Sequence, residues 1–329
     1  MKIVFCAPGK DPQPWLDSFA AHFAAYAAAN SASSHSAAEL WSWCPRESPD
    51  AAQVPRSRQA EYAIVWAPTA EFFASQTNLK AIFAIGAGVD GAMRLPNLPD
   101  GVPIVRLNDA GMAVQMAEYV CHALIRHTRE FDRYETQAKK VIWNVRKPID
   151  RAAWPVGIMG LGSIGARVAK SVAAFDYPTY GWSRSEKQID GITTFAGADS
   201  LGIFLQSVRV LVCVLPLTPD TENILNFKTL SRLKPDGYLI NVARGKHLVE
   251  SDLLKLIDAG AMAGATLDVF QTEPLPANHV LWQHPKITIT PHCSAITLRE
   301  QSVAQIVDKI RALQAGQRVD GVVNVGSGY

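Results

Sequence analysis

Residues 156–184 constrain the chain more than any other stretch. Val156–Met159 is a short apolar run of strand type, and it breaks into Gly160-Leu161-Gly162-Ser163-Ile164-Gly165, a G-x-G-x-x-G pattern. Beyond it Ile164, Val168, Val172 and Phe175 recur at helical spacing, so the glycines join a buried strand to an amphipathic helix. Gly160 permits the tight turn, Gly162 lets a pyrophosphate approach the backbone, and Gly165 lets the helix pack on the strand. The helix N-terminus faces the phosphate charge. A glycine-rich turn alone carries little weight, but the strand before and the helix after point to dinucleotide binding. Leu161, Ser163 and Ile164 are then cofactor contacts as well.

The next strand, 179–182, ends where an adenosine ribose would sit. An NAD site places Asp or Glu there, whereas an NADP site uses cations for the 2′-phosphate. Here the chain reads Trp182-Ser183-Arg184-Ser185-Glu186-Lys187. No acid closes the strand, so Ser183, Arg184 and Lys187 are expected to receive NADPH, with NADH a weaker alternative. An exposed polar loop is the plain competing explanation, and Glu186 gives it some weight.

The 329 residues suffice for two domains with separate cores. A net charge of +2 gives no argument for nucleic acid or a membrane surface. The N-terminal residues do not read as a signal peptide, and no apolar run reaches the length of a spanning helix. The five cysteines (6, 44, 121, 213, 293) never form a C-x-x-C. They read as reduced thiols of a cytoplasmic protein, with no disulfide frame and no metal site. Cys293 beside His292 is not expected to form a Cys/His nucleophile, because adjacent side chains diverge.

Strands are expected at 2–6, 40–43, 62–66, 81–85 and 104–107, with helices at 14–29 and from Pro68 to about Gln76: a small parallel α/β domain. Asn30–Ala38 reads as a solvated Ser/Ala loop. Gly86-Ala87-Gly88-Val89 is either a flexible junction or a backbone cradle for an anion. A long connecting helix is expected over 111–131. His122 and His127, five apart, read as surface or packing residues rather than as a metal pair. Residues 136–154 show little periodicity, and Trp143 and Trp154 suggest packing, either within the chain or against another subunit. After the glycine motif, strands are expected at 208–215, 238–242, 264–267 and 286–290, with helices at 251–258 and 299–313. The fold class is therefore α/β, with a doubly wound cofactor domain.

In such a sheet ligands bind beyond the carboxyl ends of the strands. There lie Leu215-Pro216, Ala243-Arg244-Gly245, Asp268 followed by Glu273, and His292. One cation, two carboxylates and one imidazole suit hydride transfer to a keto acid. His292 can donate the proton to the carbonyl oxygen, and Glu273 favours its imidazolium. Arg244 offers a fork of donors to a carboxylate or developing alkoxide, leaving Asp268 free to hold a nicotinamide. Any one of these alone is more often a surface or cap residue; their convergence at successive strand ends is what counts.

Asn241-Val-Ala-Arg-Gly245, Leu267-Asp-Val-Phe270, Glu273-Pro-Leu-Pro276 and Thr290-Pro-His292 resemble the successive signatures of the D-isomer-specific 2-hydroxyacid dehydrogenases. The stretches 63–68, 83–90 and 281–292 are similar to the bacterial type that reduces glyoxylate and hydroxypyruvate. The resemblance spans nearly the whole chain, apart from 30–38. It implies a Rossmann cofactor domain (108–291) inserted into a smaller flavodoxin-like catalytic domain (1–107 and 292–329). It implies Arg244, Glu273 and His292 as the catalytic set, and Leu215, Pro216, Ala243 and Asp268 among the cofactor contacts. For the substrate it implies Ala87, Gly88 and Val89 as a carboxylate cradle, with Trp66 beside the pocket favouring small 2-keto acids. It also implies a homodimer built on the cofactor domain and the 111–155 arm. A dehydrogenase for another 2-hydroxy acid keeps the same residues, and a cofactor-sensing scaffold without turnover is the alternative from a different class.

Overall fold

The structure, a computed structural model, describes residues 1–29, 38–43, 58–86 and 88–324. Asn30–Ala38, except for Ala38 itself, and also Cys44 and Ala87 lie outside the described residues. The chain divides into two compact units: Met1–Gly111 with Thr297–Tyr329, and Met112–Ile296. The divisions fall after residues 111 and 296, beyond the expected 107 and 291, so His292 belongs with the glycine motif.

The first unit is built from β1 (Lys2–Cys6), α1 (Gln13–Ala29), β2 (Glu39–Ser42), β3 (Tyr62–Val65), α2 (Ala70–Ser75), β4 (Ala81–Ala84), α3 (Asp90–Met93) and β5 (Ile104–Arg106). Its strands pair in the order β2-β1-β3-β4-β5, all parallel. This is the flavodoxin-like order. β3 and β4 are buried at every position, as apolar strands covered on both faces must be. The C-terminal helix Arg299–Gln314 packs on α1. Ser18 Oγ donates to Glu300 Oε1 at 2.7 Å, and Arg311 lies over the rings of Phe23 and Tyr26.

The second unit opens with α4 (Met112–Thr128) and α5 (Phe131–Lys139). The helix expected over 111–131 is α4, which stops at Thr128; α5 follows it beyond Glu130, whose backbone is left-handed (φ 54°). Arg146 grips the Glu130 carboxylate with two bonds of 2.6 and 2.9 Å, a contact from 16 residues away. Trp154 packs within its own unit rather than requiring another subunit: His127 meets it edge-on and Arg209 lies over its ring. Trp143, in contrast, is 98% exposed.

Then follow β6 (Val156–Met159), α6 (Ser163–Ala173), β7 (Thr179–Ser183), β8 (Thr193–Ala196), α7 (Gly197–Ser207), β9 (Val210–Cys213), α8 (Phe227–Leu230), β10 (Gly237–Asn241), α9 (Glu250–Asp258), β11 (Met262–Leu267) and β12 (Ile287–Ile289). The seven strands run parallel in the order β12-β11-β10-β9-β6-β7-β8. Counted from β6 this is the doubly wound dinucleotide order with one strand added, and the order in which strands are laid down reverses between β6 and β9. Met116, Val120 and Leu124 of α4 join Val168 and Val172 of α6 over Ile158, Val210 and Ile240. Phe175 departs from the expected apolar face: α6 stops at Ala173 and the ring is 46% exposed.

Candidate active site

The glycine turn has the geometry its sequence demands. Gly160 has a φ of 102°, and a Cβ there would lie 2.8 Å from the Val214 carbonyl oxygen. A Cβ on Gly162 would meet nothing within 4 Å, so this face of the turn is open to a ligand. On Gly165 it would sit 1.8 Å from the Gly160 carbonyl oxygen, so the start of α6 packs directly on the turn. No side chain caps α6, so the first N–H groups of the helix have no side-chain cap to satisfy them, as an anion-binding helix start requires. The residues present fit a dinucleotide. Leu161 and Leu215 are buried in the core and can reach such a ligand only through their backbone. Ile164 is half-buried, while Ser163 and Pro216 are exposed.

At the end of β7, Arg184 and Lys187 are exposed. Ser183 is buried, and its hydroxyl donates to the Ser185 carbonyl at 2.8 Å. Its hydrogen is therefore engaged locally, and only its lone pairs remain for another partner.

At the end of β10, Asn241 has no exposure and bends the chain by accepting from Ala243 N–H and donating to the Arg244 carbonyl, both at 3.2 Å. His247, also fully buried, receives the Arg244 N–H on Nδ1 at 3.2 Å, leaving its Nε2–H for the Pro216 carbonyl at 3.2 Å. Arg244 Nη1 donates to the Ala243 carbonyl at 2.7 Å. Gly245 presses this loop against the next one, since a Cβ there would lie 1.8 Å from the Phe270 carbonyl carbon.

On that next loop, Glu273 Oε1 accepts the Phe270 N–H at 2.9 Å, and Oε2 lies 2.7 Å from Nδ1 of His292. Nδ1–H thus stays with the carboxylate, and Nε2 is the ring position open to a substrate. His292 has a φ of 53°, a left-handed conformation that a non-glycine residue adopts only where its surroundings impose it.

Asp268 imposes it. The sequence leaves this carboxylate free for a nicotinamide, but it is fully buried and engaged. Oδ1 accepts from Thr290 Oγ1 at 2.5 Å and from Cys293 N–H at 2.9 Å, while Oδ2 accepts from Ser294 N–H at 2.9 Å. The Asp268 carbonyl takes the His292 N–H at 2.8 Å. Partial burial and the neighbouring Asp268 charge push the Cys293 thiol above its ordinary value, the opposite of what activates a cysteine nucleophile. Asn241 and Thr290 open two of the signature stretches without a role of their own being legible there, and His247 carries no sequence signal beyond its place after β10.

In the first unit, Trp66 is half-buried with Lys10 Nζ 4.4 Å above its ring, and Gly86 leaves room for it, a Cβ there lying 3.3 Å from the ring. Val89 is buried, so only its backbone can serve an anion, while Gly88 is exposed. Among the described residues no cluster of His, Cys, Asp or Glu could hold a metal ion, and no helix is long and apolar enough to cross a membrane.

Residues 121–294 match the family described as D-isomer specific 2-hydroxyacid dehydrogenase, NAD binding domain. The chain is 46% identical to the glyoxylate/hydroxypyruvate reductase A of Yersinia enterocolitica over 278 residues, 83% of this chain and 89% of that protein. To the protein of the same name from Serratia proteamaculans it is 47% identical over 277 residues, 83% and 88% of the two chains. A D-isomer specific 2-hydroxyacid dehydrogenase from Xanthobacter autotrophicus Py2, solved with NADPH and MES, superposes with a TM-score of 0.88 at 33% identity, over 100% of this chain and 99% of that one. The NADPH-dependent glyoxylate/hydroxypyruvate reductase of Sinorhizobium meliloti, solved with NADP and sulfate, gives 0.87 at 31% identity with the same coverage.

Proposed function

The chain belongs to the D-isomer specific 2-hydroxyacid dehydrogenases and is an NAD(P)-dependent oxidoreductase, and from that premise we propose that it reduces small 2-keto acids with NADPH, glyoxylate to glycolate and hydroxypyruvate to D-glycerate. The observation that carries this reading is the 2.7 Å pairing of His292 Nδ1 with Glu273 Oε2. Bound NADPH supplies the hydride. His292 donates the Nε2 proton to the carbonyl oxygen, which becomes the hydroxyl, and Glu273 keeps the imidazolium oriented while that proton is present. Arg244 binds the substrate and offsets charge developing on the oxygen. Gly88 and Val89 contribute backbone donors for the substrate carboxylate, and Trp66 limits substrate size.

Arg184, the first residue after β7, supports NADPH over NADH, because no Asp or Glu closes the strand, and Lys187 adds a second cation beyond Glu186. Asp268, fully buried and held by Thr290, Cys293 and Ser294, serves the nicotinamide side in this proposal through the loop it fastens. The names and bound cofactors of the relatives support the same reading. The protein is a homodimer in this proposal, because Val141, Trp143 and Val145 of the 111–155 arm are exposed by 95%, 98% and 78% and a second copy would cover them. Its free thiols at Cys6, Cys121, Cys213 and Cys293 fit a cytoplasmic location.

The test follows nicotinamide absorbance with purified protein, NADPH or NADH, and a panel of 2-keto acids. Rapid loss of NADPH with glyoxylate and hydroxypyruvate, and little with bulky acids, is expected. Binding of NADPH without turnover of any acid would replace the enzyme with a cofactor-sensing scaffold.

A further inference from the structure

Thr290–Ile296, the loop that carries His292, is fastened to the sheet by Asp268, and it is fastened a second time to α4. Tyr119 OH lies 2.5 Å from Thr290 Oγ1. Thr290 Oγ1 is also 2.5 Å from Asp268 Oδ1, and a carboxylate oxygen only accepts. The threonine hydrogen therefore goes to Asp268, and the phenol hydrogen of Tyr119 goes to the threonine. Burial raises the Tyr119 phenol above its ordinary value, so it remains a donor. One turn earlier on the same helix, Gln115 Nε2 donates to the Ile296 carbonyl at 2.9 Å, and Gln115 Oε1 accepts the Ile296 N–H at 3.1 Å.

We propose that Tyr119 and Gln115 are positioning residues for proton transfer by His292. Tyr119 holds the start of the loop through Thr290, and Gln115 holds its end. Between them the N–H groups of His292, Cys293 and Ser294 all terminate on Asp268. Because α4 is packed on α6 through Met116, Val120 and Leu124, the two anchors share a rigid support. A left-handed His292 has no local reason to keep its ring on Glu273, so the bonds at the two ends of the loop supply that reason. The same chain of hydroxyls orients the Asp268 carboxylate. The inference rests on His292 being the proton donor.

The test compares Tyr119→Phe, Gln115→Met and the double variant with the unmodified protein. Tyr177→Phe is the control, because it removes another buried phenol–threonine bond of the same unit, the 2.8 Å pair with Thr128. Tyr119→Phe and Gln115→Met are each expected to lower kcat about tenfold or more, with the Kd for NADPH and the KM for the keto acid changed by less than about threefold. The solvent deuterium isotope effect on kcat is expected to rise, as proton transfer becomes limiting. The double variant should lose less than the product of the single losses, since both release one loop. Tyr177→Phe should lower Tm and leave kcat and the isotope effect in place.

Full kcat in Tyr119→Phe and Gln115→Met, beside an active unmodified enzyme, would overturn the inference alone. So would equal losses of kcat in Tyr119→Phe and Tyr177→Phe, which would reduce the effect to general destabilisation. An unmodified protein that turns over no keto acid would instead overturn the functional reading.

Discussion

A Cβ on Gly165 would sit 1.8 Å from the carbonyl oxygen of Gly160, whereas one on Gly162, three residues earlier, would meet nothing within 4 Å. The two glycines therefore answer to different demands. Gly165→Ala collides with backbone and is expected to cost at least about 3 kcal/mol of stability. Gly162→Ala should leave stability nearly unchanged and weaken NADPH about tenfold or more, a loss of about 1.4 kcal/mol. Urea unfolding and cofactor titration of the two variants separate these effects. A Gly165→Ala protein as stable as the original would contradict the close approach.

Glu273 shares its two oxygens between Phe270 N–H and His292 Nδ1. In Glu273→Gln the amide can still meet one of these partners, but it carries no charge to favour the imidazolium. We expect kcat to fall about 10- to 100-fold with NADPH affinity retained. His292→Ala should nearly abolish turnover while still binding NADPH; loss of cofactor binding in that variant would disprove the assigned role.

Arg184→Asp places a carboxylate where the 2′-phosphate is proposed to lie. The ratio of kcat/KM for NADPH over NADH is expected to drop by about 100-fold, or roughly 2.7 kcal/mol, chiefly through weaker NADPH binding. An unchanged ratio would remove Arg184 from the phosphate site.

His127 stacks on Tyr238 with ring centroids 3.7 Å apart, and its Nε2 is buried without a partner. Burial lowers its pKa from 6.5 to about 4. The neutral form is the one that folds, so the unfolded chain binds the extra proton as the pH drops. Stability is therefore complete above pH 6.5 and declines down to about pH 4, by about 3 kcal/mol in all. Urea midpoints measured at about pH 7 and pH 4.5 should fall towards the acid side more steeply for the protein than for His127→Phe, which has no imidazole to protonate. Parallel pH profiles would show that His127 titrates normally in the folded state.

The legible parts of this chain were those whose physics is local. The glycine spacing announced β6 and α6, and the strand-end rule drew Arg244, Asp268, Glu273 and His292 to one edge of a single sheet. Other parts depended on distant partners. The Glu130 carboxylate between α4 and α5 is held by Arg146, and the engagement of Asp268 follows from Thr290, Cys293 and Ser294. Tyr119 meets Thr290 across 171 residues, which no periodicity within α4 reveals. β8 and α7 went unmarked because β8 has no buried position and α7 buries only Phe204 and Leu205, with Gly197 and Gly202 diluting its helical pattern. Of the two tryptophans that suggested packing, Trp154 finds its partners in His127 and Arg209, which lie at a distance no local pattern encodes.

The bond from Ser18 to Glu300 spans 282 residues, and it sets an order of events at the ribosome. The second unit is one continuous segment, so all its partners are present once Ile296 has emerged. The first unit must wait for the C-terminal helix to cover α1, with the apolar strands β1–β5 already made. During that interval its unfinished face is open to chaperones and to aggregation. The nascent chain thus completes its cofactor half before its first hundred residues have settled.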